Sequence, residues 1–285
     1  MAILYQLQHR LLPSKSTVIN TYSFTALLFL CVLSVHAQTT EKAFTKDLVI
    51  SIQGDSIAAN ALIAKGTNLK ETVVLLHGLP GNEKNLDLAE FLRQRGKNVI
   101  YFNYRGSWGS QGQFRYTHCL EDIANVLDYL NSQTIAEQLR IKRNAFTLIG
   151  HSLGGGIAVL HGMKDSRVQR IIAISAFNVG AVLKNNNSVA ELQEFQNYLR
   201  AQFMLNINPT DFLKELLQHK QQWDVSRMTS TQHRPALLFI DENSRNTQWI
   251  QNMQHSEHHI IPSDHSFSDK RLALNKFILQ WLHKH

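Results

Sequence analysis

Runs of consecutive apolar residues alternate with segments of helical spacing along most of the chain. The stretch "TVVLLH" (72–77) is one such run, and it is typical of a strand buried on both faces. The stretch "EKNLDLAEFLRQRG" (83–96) places apolar residues at helical spacing and ends at a glycine, which indicates a helix. Further strands are predicted at 98–104, 145–150, 170–177, 236–240 and 258–262, and further helices at 120–132, 152–163 and 268–282.

The order of these elements indicates an α/β fold. Strands separated by single helices form βαβ units, so we predict a mainly parallel central sheet with helices on both faces. Two segments near the start, 44–52 and 56–65, flank the turn signal Gly54-Asp55. They predict an antiparallel hairpin at one edge of the sheet.

One segment interrupts this alternation. The connection between Phe177 and Ala236 is longer than loops in compact domains usually are, and it contains helical patterns at 188–205 and 210–223. We predict a helical cap insertion at about 178–232, over the carboxyl edge of the sheet. The alternative is two ordinary helices that pack elsewhere. The aromatic candidates for packing or for lining a pocket are Phe195, Phe203 and Trp223.

Composition and charge narrow the class of protein. The chain has 285 residues, of which 44% are apolar and 18% charged, and this balance is typical of a globular protein with one sizeable core. The formal net charge is +7. The sequence has neither a long basic run nor interleaved basic and aromatic residues, so we predict no nucleic-acid partner.

The N-terminal segment has the pattern of a secretory signal. Arg10 and Lys15 precede a short apolar stretch at 24–35, and Val35 and Ala37 suit a cleavage site. We therefore predict a signal peptide at 1–38 and a mature domain at 39–285. The protein is then secreted or periplasmic, with no stable membrane span after cleavage. The alternative is membrane anchoring by an uncleaved N-terminal segment.

The mature chain contains a candidate nucleophile within the pattern G-x-S-x-G. Gly150, Ser152 and Gly154 follow a predicted strand and open a predicted helix. A serine at such a turn adopts strained backbone angles, so its close neighbours must lack side chains. The start of the helix then presents backbone N–H groups to a developing oxyanion. This setting predicts that Ser152 is a nucleophile.

Four motifs together resemble the α/β-hydrolase superfamily, in particular its prolyl-oligopeptidase-like and esterase members. They occur in the family's order and span nearly all of the mature chain. The resemblance implies the α/β-hydrolase fold and a serine hydrolase. The motifs are "LLHGLPG" (75–81), "NYRGSWGSQG" (103–112), "GHSLGG" (150–155) and "SDHSFSDKR" (263–271).

The resemblance also implies roles for individual residues. His265 is the expected general base, because a neutral serine hydroxyl needs one. The backbone N–H groups of Leu79 and Leu153 are the expected oxyanion donors. Arg105 is expected to fix its own loop through a carboxylate. His77 is expected to be a structural residue that holds its own loop by hydrogen bonds. His151 is expected to point away from the triad.

The acid of the triad departs from the family's pattern. The family places an Asp seven to nine positions after the proline that opens this strand, and those positions after Pro235 hold Glu, Asn and Ser. We predict Glu242 as the acid, since its extra methylene reaches from a shifted loop. Asp241 is the second choice and Asp264 the third.

We therefore predict a serine hydrolase that cleaves an ester or amide through an acyl-enzyme, most simply an esterase. A serine peptidase of aminoacyl or dipeptidyl type is the alternative; "NYRGS" favours it, and the missing N-terminal propeller counts against it. A third possibility is a non-catalytic binding protein, which the intact Ser152 and His265 disfavour. The expected partner is a small-molecule ester or peptide. No cofactor is expected, and the cluster "HSEHH" (255–259) lacks the spacing of a metal site.

Overall fold

A computed structural model describes residues 41–183, 187–228 and 233–285. The apolar runs identified in the sequence form strands, and the residues at helical spacing form helices. The strands are β1 (Phe44–Ile52), β2 (Asp55–Ile63), β3 (Lys70–Leu76), β4 (Asn98–Phe102), β5 (Ile141–His151), β6 (Val168–Ile174), β7 (Ala236–Asp241) and β8 (Ser256–Ile260). The helices are α1 (Leu86–Arg93), α2 (Tyr116–Asn131), α3 (Gln133–Gln138), α4 (Leu153–Gly162), α5 (Val179–Val182), α6 (Val189–Arg200), α7 (Pro209–His219), α8 (Thr247–Ile250) and α9 (Arg271–Lys284).

The strands described by the structure form one sheet, in the order β1-β2-β4-β3-β5-β6-β7-β8. All neighbours from β4 to β8 are parallel, while β2 is antiparallel to both β1 and β4. The turn between β1 and β2 has positive φ at Gln53 and Gly54 (50° and 93°), as expected for a tight hairpin. The predicted mainly parallel sheet with its antiparallel edge is confirmed.

Helices cover both faces of the sheet because the inner parallel strands contain runs of consecutive buried apolar residues, such as residues 73–76 of β3. Successive side chains of a strand point to opposite faces. Val74 and Leu76 therefore pack on one face, with residues of α2 and α4, and Val73 and Leu75 pack on the other, with residues of α1 and α9. The prediction of helices on both faces is confirmed.

The ends of several elements differ from the sequence-based expectation. β8 lies two residues earlier than predicted and ends before Pro262, which has no N–H to donate to a ladder. β5 begins at Ile141, before the apolar run that predicted a strand at 145–150. Its pairing with β3 has a register shift in this early part of the strand. The short helices α3 and α8 were not predicted, because they contain too few apolar residues to form a periodic pattern.

The long connection between β6 and β7 contains α5, α6 and α7. Ser188 and Glu191 form a capping box at the start of α6, and Asn208 caps α7 ahead of its proline. The segment between α6 and α7 pairs with the loop after β4: Trp108 N donates to Met204 O over 3.0 Å. The connection is thereby tied to a loop at the carboxyl edge of the sheet.

The described residues from Glu41 to His285 form one compact unit. Within them, no helix has the length and the apolar content that crossing a membrane requires. The proposed signal peptide at 1–38 lies outside the described residues, so the predictions of cleavage and of anchoring both remain predictions.

Candidate active site

Ser152 occupies a strained turn between β5 and α4. Its φ and ψ angles are 55° and −118°, a region that side-chain-bearing residues rarely adopt. The turn requires glycine on both sides. A Cβ on Gly150 would lie 2.1 Å from the Gly154 carbonyl oxygen, and a Cβ on Gly154 would lie 2.2 Å from the Leu76 oxygen. The glycines of the motif therefore let the strand turn sharply into the helix, with Ser152 at the point of the turn.

Two backbone N–H groups lie beside this turn. Leu153 is the first residue of α4, so its N–H has no partner within the helix. The loop after β3 approaches closely, since a Cβ on Gly78 would lie 3.0 Å from Ser152 Cβ. Leu79 follows in that loop, and among the described residues no acceptor is bonded to its N–H. The predicted donors Leu79 and Leu153 are thus near Ser152 and available.

His265 lies in the loop between β8 and α9, beside the serine turn. The ring of His151 is 4.8 Å from the ring of His265, centroid to centroid, and His151 Nε2–H donates to His265 O over 2.8 Å. His151 therefore supports the histidine loop, and the expectation that it points away was wrong. Within the described chain, Ser152 and His265 share no hydrogen bond. Bonds of this kind are often long until substrate binds.

The two adjacent acid candidates point in different directions. Glu242 places Oε1 3.2 Å from His265 Nδ1, and its Oε2 accepts a 2.5 Å hydrogen bond from the hydroxyl of Ser175. Asp241 is instead held by Asn246 Nδ2 and by His258 Nε2, each at 2.8 Å. The chain turns away from the sheet after Asp241, so the geometry joins Glu242 to His265 and leaves Asp241 in a separate buried network.

The third acid candidate, Asp264, also lies outside the His265–Glu242 pair. Its carboxylate accepts a hydrogen bond from Ser268 N over 2.8 Å, which fixes the turn before α9. The side chain is exposed, as expected for a residue that caps a surface turn.

Arg245 introduces a positive charge that the sequence analysis did not anticipate. Its Nη2 forms an ion pair with Glu242 Oε1 and lies 3.3 Å from His265 Nδ1. The Arg245 side chain is 55% exposed, whereas that of Glu242 is 3% exposed. Partial burial and then the charge of Arg245 lower the pKa of His265. His265 is therefore more readily neutral, which is the form a general base requires.

A small cavity opens beside Ser152. Its volume is about 160 Å³, and apart from the serine its walls are apolar. Half of the apolar lining comes from the long connection: Phe195 on α6, and Phe212 and Leu216 on α7. Trp223 packs on Tyr116 instead, with ring centroids 4.4 Å apart. The rest of the lining is Leu79, Leu153 and Phe177.

Phe203, the third aromatic candidate, does not line this cavity. Its side chain is 93% exposed, so it takes part neither in the lining nor in the core. The helical spacing of the segment could not distinguish Phe203 from Phe195, because the helix ends between them at Arg200.

The loops around the site are held by buried polar contacts. Arg105 bonds to Asp122 through Nε (2.6 Å) and backbone N (2.7 Å), so it fixes its loop, as expected. His77 donates from Nδ1 to Gly78 O over 2.8 Å, and burial lowers the pKa of His77 to about 4. A neutral His77 keeps positive charge out of the loop that carries Leu79.

The histidines of "HSEHH" have separate partners. His258 pairs with Asp241, and His259 stacks on Phe277 with ring centroids 4.3 Å apart. Over the described ranges, no three metal-ligating side chains gather into a group that could hold an ion. Cys119 is buried in α2, and burial raises the pKa of its thiol.

Sequence reasoning missed two kinds of residue. Ser175 and Arg245 reach Glu242 from the carboxyl ends of β6 and β7, and polar residues directly after parallel strands are a usable signal for a site. Tyr198 and Trp108 contact the loop of Leu79 from distant segments, which no local pattern could indicate.

The chain belongs to the alpha/beta hydrolase fold family, since a model of that family matches residues 71–268. A protein named YfhR from Salmonella typhi, described as uncharacterized, is 29% identical over 129 residues, which is 43% of this chain and 42% of that protein. The chain thus matches less than half of the length of this curated relative.

Solved structures share the fold at low sequence identity. The protein Est1E from Butyrivibrio proteoclasticus superimposes with a TM-score of 0.63 at 13% identity, covering 84% of this chain and 98% of that one. The Pyrococcus furiosus esterase PF2001 gives a TM-score of 0.63 at 15% identity, covering 85% and 91%. These similarities show that the chain shares the fold of the two structures. The chemistry has to be inferred from the residues of the site itself.

Proposed function

We propose that this protein is a serine hydrolase that cleaves carboxylic esters through an acyl-enzyme. The observation that carries the proposal is the turn at Ser152, with the N–H groups of Leu79 and Leu153 beside it and the His265–Glu242 pair on the neighbouring loop. These are the parts that acyl transfer requires: a nucleophile, a base with its acid, and donors for an oxyanion.

The proposed reaction has two halves. Ser152 Oγ attacks the ester carbonyl carbon while its proton passes to His265 Nε2, and the oxyanion is stabilised by the two N–H groups. Collapse of the tetrahedral intermediate breaks the bond to the alcohol, which leaves with the proton from His265. Water, deprotonated by His265, then attacks the acyl-enzyme; when the second tetrahedral intermediate collapses, the carboxylic acid is released and His265 returns the proton to Ser152 Oγ. Glu242 holds the ring in the required tautomer and stabilises the imidazolium.

Two observations favour an ester over a peptide. The Pyrococcus furiosus neighbour is described as an esterase, and another structure of Est1E has ferulic acid bound. In the motif that suggested a peptidase, the buried guanidinium of Arg105 is paired with both Asp122 and Glu121, so Arg105 is not free to bind a substrate.

The decisive variant is Ser152→Ala. We expect hydrolysis of p-nitrophenyl butyrate to fall by about 10⁴-fold or more and labelling by a fluorophosphonate to disappear, with an unchanged circular dichroism spectrum. An aminoacyl p-nitroanilide tested in parallel addresses the peptidase alternative. Labelling of Ser152→Ala at the wild-type level would refute the proposal that Ser152 is the nucleophile. If the wild-type protein cleaves only the anilide, the proposal that its substrates are esters is wrong.

We further propose, from the sequence pattern alone, that the protein is exported. The support is the charged start, the apolar stretch at 24–35 and the small residues at Val35 and Ala37. N-terminal sequencing of the mature protein, expressed in a bacterial host with its full N-terminus, tests this. A chain that still begins at Met1 and is recovered from the cytoplasmic fraction would contradict it.

A further inference from the structure

The cavity beside Ser152 has a composition that restricts what it can hold. Among the described residues that line it, Ser152 is the only polar one, and the other lining side chains are leucine and phenylalanine. A charged or strongly polar group placed there would lose its hydration without gaining a partner, which is costly. The composition therefore selects an apolar group.

The position of the cavity identifies which side of the ester it faces. His265 must reach the leaving alcohol to protonate it, so the alcohol lies on the side of His265. Neither His265 nor Arg245 lines the cavity, whereas both residues whose N–H groups are the proposed oxyanion donors do. The cavity therefore lies on the acyl side of the carbonyl carbon.

The size of the cavity limits the acyl group. A buried apolar cavity of about 150 Å³ accommodates one benzene molecule. The cavity beside Ser152 measures about 160 Å³, and Phe195 and Phe212 form part of its wall. One six-membered ring, or a chain of about six carbons, has the corresponding volume.

We propose that this cavity is an acyl-binding subsite for a single ring or a short aliphatic chain, with Phe195 as the residue that limits its length. The proposal rests on the proposed function, because the acyl group is defined by attack of Ser152. The alcohol side is open and polar: the His265 side chain is 47% exposed and that of Arg245 is 55% exposed. The protein is therefore expected to select its substrates by the acyl group of the ester rather than by the alcohol.

Phe195 is suited to a test because it is only partly buried and lies on α6 rather than in the sheet. Phe212 is fully buried against Phe114, with ring centroids 5.7 Å apart, so its truncation would damage the core. The chain also offers a matched control in Phe203, which is 93% exposed in the same connection.

The experiment measures kcat/KM for p-nitrophenyl acetate, butyrate, hexanoate, benzoate and decanoate, which share one leaving group. We expect butyrate, hexanoate and benzoate to be cleaved best, and decanoate at least tenfold less well. Phe195→Ala should raise the decanoate-to-butyrate ratio about tenfold or more, while Phe203→Ala leaves the ratio unchanged. A wild type that cleaves decanoate as well as butyrate, or a Phe195→Ala ratio equal to that of Phe203→Ala, would overturn the subsite.

A binding measurement separates this inference from the proposed function. Benzene added to the Ser152→Ala protein should raise Tm, because the cavity is present without the nucleophile. Phe195→Trp in the same background fills the cavity and should abolish the increase. If no ester is cleaved but benzene raises Tm in this Phe195-dependent way, the catalytic proposal fails while the apolar subsite stands. If benzene has no effect on Tm, the subsite is wrong.

Discussion

At the residue scale, the orientation of two neighbouring carboxylates decides which one serves His265. Asp241 is the last residue of β7, and its carboxylate accepts from Asn246 and His258. Glu242 is the next residue and contacts His265. Because the chain leaves the strand after Asp241, the two neighbouring carboxylates point in different directions, and Glu242 is the one that faces the histidine.

The matched substitutions Glu242→Gln and Asp241→Asn remove one charge each at adjacent positions. We expect Glu242→Gln to lower kcat/KM by about 10³- to 10⁴-fold, because an amide leaves the base in the wrong tautomer. Asp241→Asn should change turnover only a few-fold and lower the urea midpoint instead. Retention of turnover by both variants would indicate a Ser-His dyad, and loss confined to Asp241→Asn would reverse the assignment.

Arg245 is expected to set the pH range of activity. Its guanidinium lies beside His265 and lowers the pKa of that ring, and the proposed mechanism requires the neutral ring. Arg245→Gln removes the positive charge and leaves Glu242 to pair with His265 alone, and both changes raise the pKa. The acid limb of the pH profile of kcat/KM should therefore move to higher pH.

The control for Arg245 is Arg95→Gln, which removes the same charge just beyond α1, where the guanidinium lies over the ring of Phe91. This variant should leave the acid limb in place. If the acid limb of Arg245→Gln is unchanged or moves to lower pH, Arg245 does not set the pH range of activity.

At the scale of elements, α6 contacts the loop that carries Leu79, the proposed oxyanion donor. The hydroxyl of Tyr198 donates to Leu79 O over 3.2 Å, and Trp108 Nε1 donates to the next carbonyl, Pro80 O, over 2.8 Å. Two separate segments thereby hold consecutive carbonyls of one short loop. We expect Tyr198 and Trp108 to be positioning residues, since they contact the proposed site only through this loop.

Tyr198→Phe tests this contact without enlarging any cavity. Loss of one hydrogen bond of about 1 kcal/mol should lower kcat about fivefold, with KM nearly unchanged, because the oxyanion exists only in the transition state. Tyr129→Phe on α2 is the matched control and should have neither effect. An unchanged kcat, or an effect on KM alone, would argue against positioning by Tyr198.

The positions of the strands and helices along the chain were largely predictable from the sequence, whereas the tertiary contacts between them were not. The apolar runs predicted the strands β3 to β7, because burial on both faces leaves a continuous apolar signature, whereas the prediction for the more exposed β8 was two residues too late. The helical patterns at 188–205 and 210–223 correspond to α6 and α7. Which of their aromatic residues reaches the cavity depends on how the two helices pack, and the periodicity of either helix alone does not contain that information.

At the scale of the whole molecule, two buried histidines couple folding to pH. Burial lowers the pKa of His77 and of His151 to about 4, whereas a histidine in an unfolded chain titrates near 6.5. Between these values the unfolded chain binds protons that the folded chain does not. The free energy of unfolding therefore falls as the pH drops through this window, and the contribution is fully present above it.

Urea unfolding at pH 7.5 and pH 5 measures this coupling. We expect each histidine to lower the free energy of unfolding by about 2 kcal/mol at pH 5. His151→Gln, which keeps a donor for the His265 carbonyl, should remove about half of the pH dependence contributed by the pair. A stability that is unchanged or greater at pH 5 would show that these histidines are protonated in the folded protein.

The class of fold, the turn at Ser152 and the loop that carries His265 could be predicted from the sequence. Each of these is a local property: continuous apolar burial, glycines that admit a strained turn, and a motif between a strand and a helix. Only the tertiary structure chose between Asp241 and Glu242, brought Arg245 to His265 and placed Phe195 rather than Phe203 in the cavity wall. Those choices depend on side chains from β6, β7, α6 and the loop before α9, which meet only when the parallel strands align their carboxyl ends at one edge of the sheet.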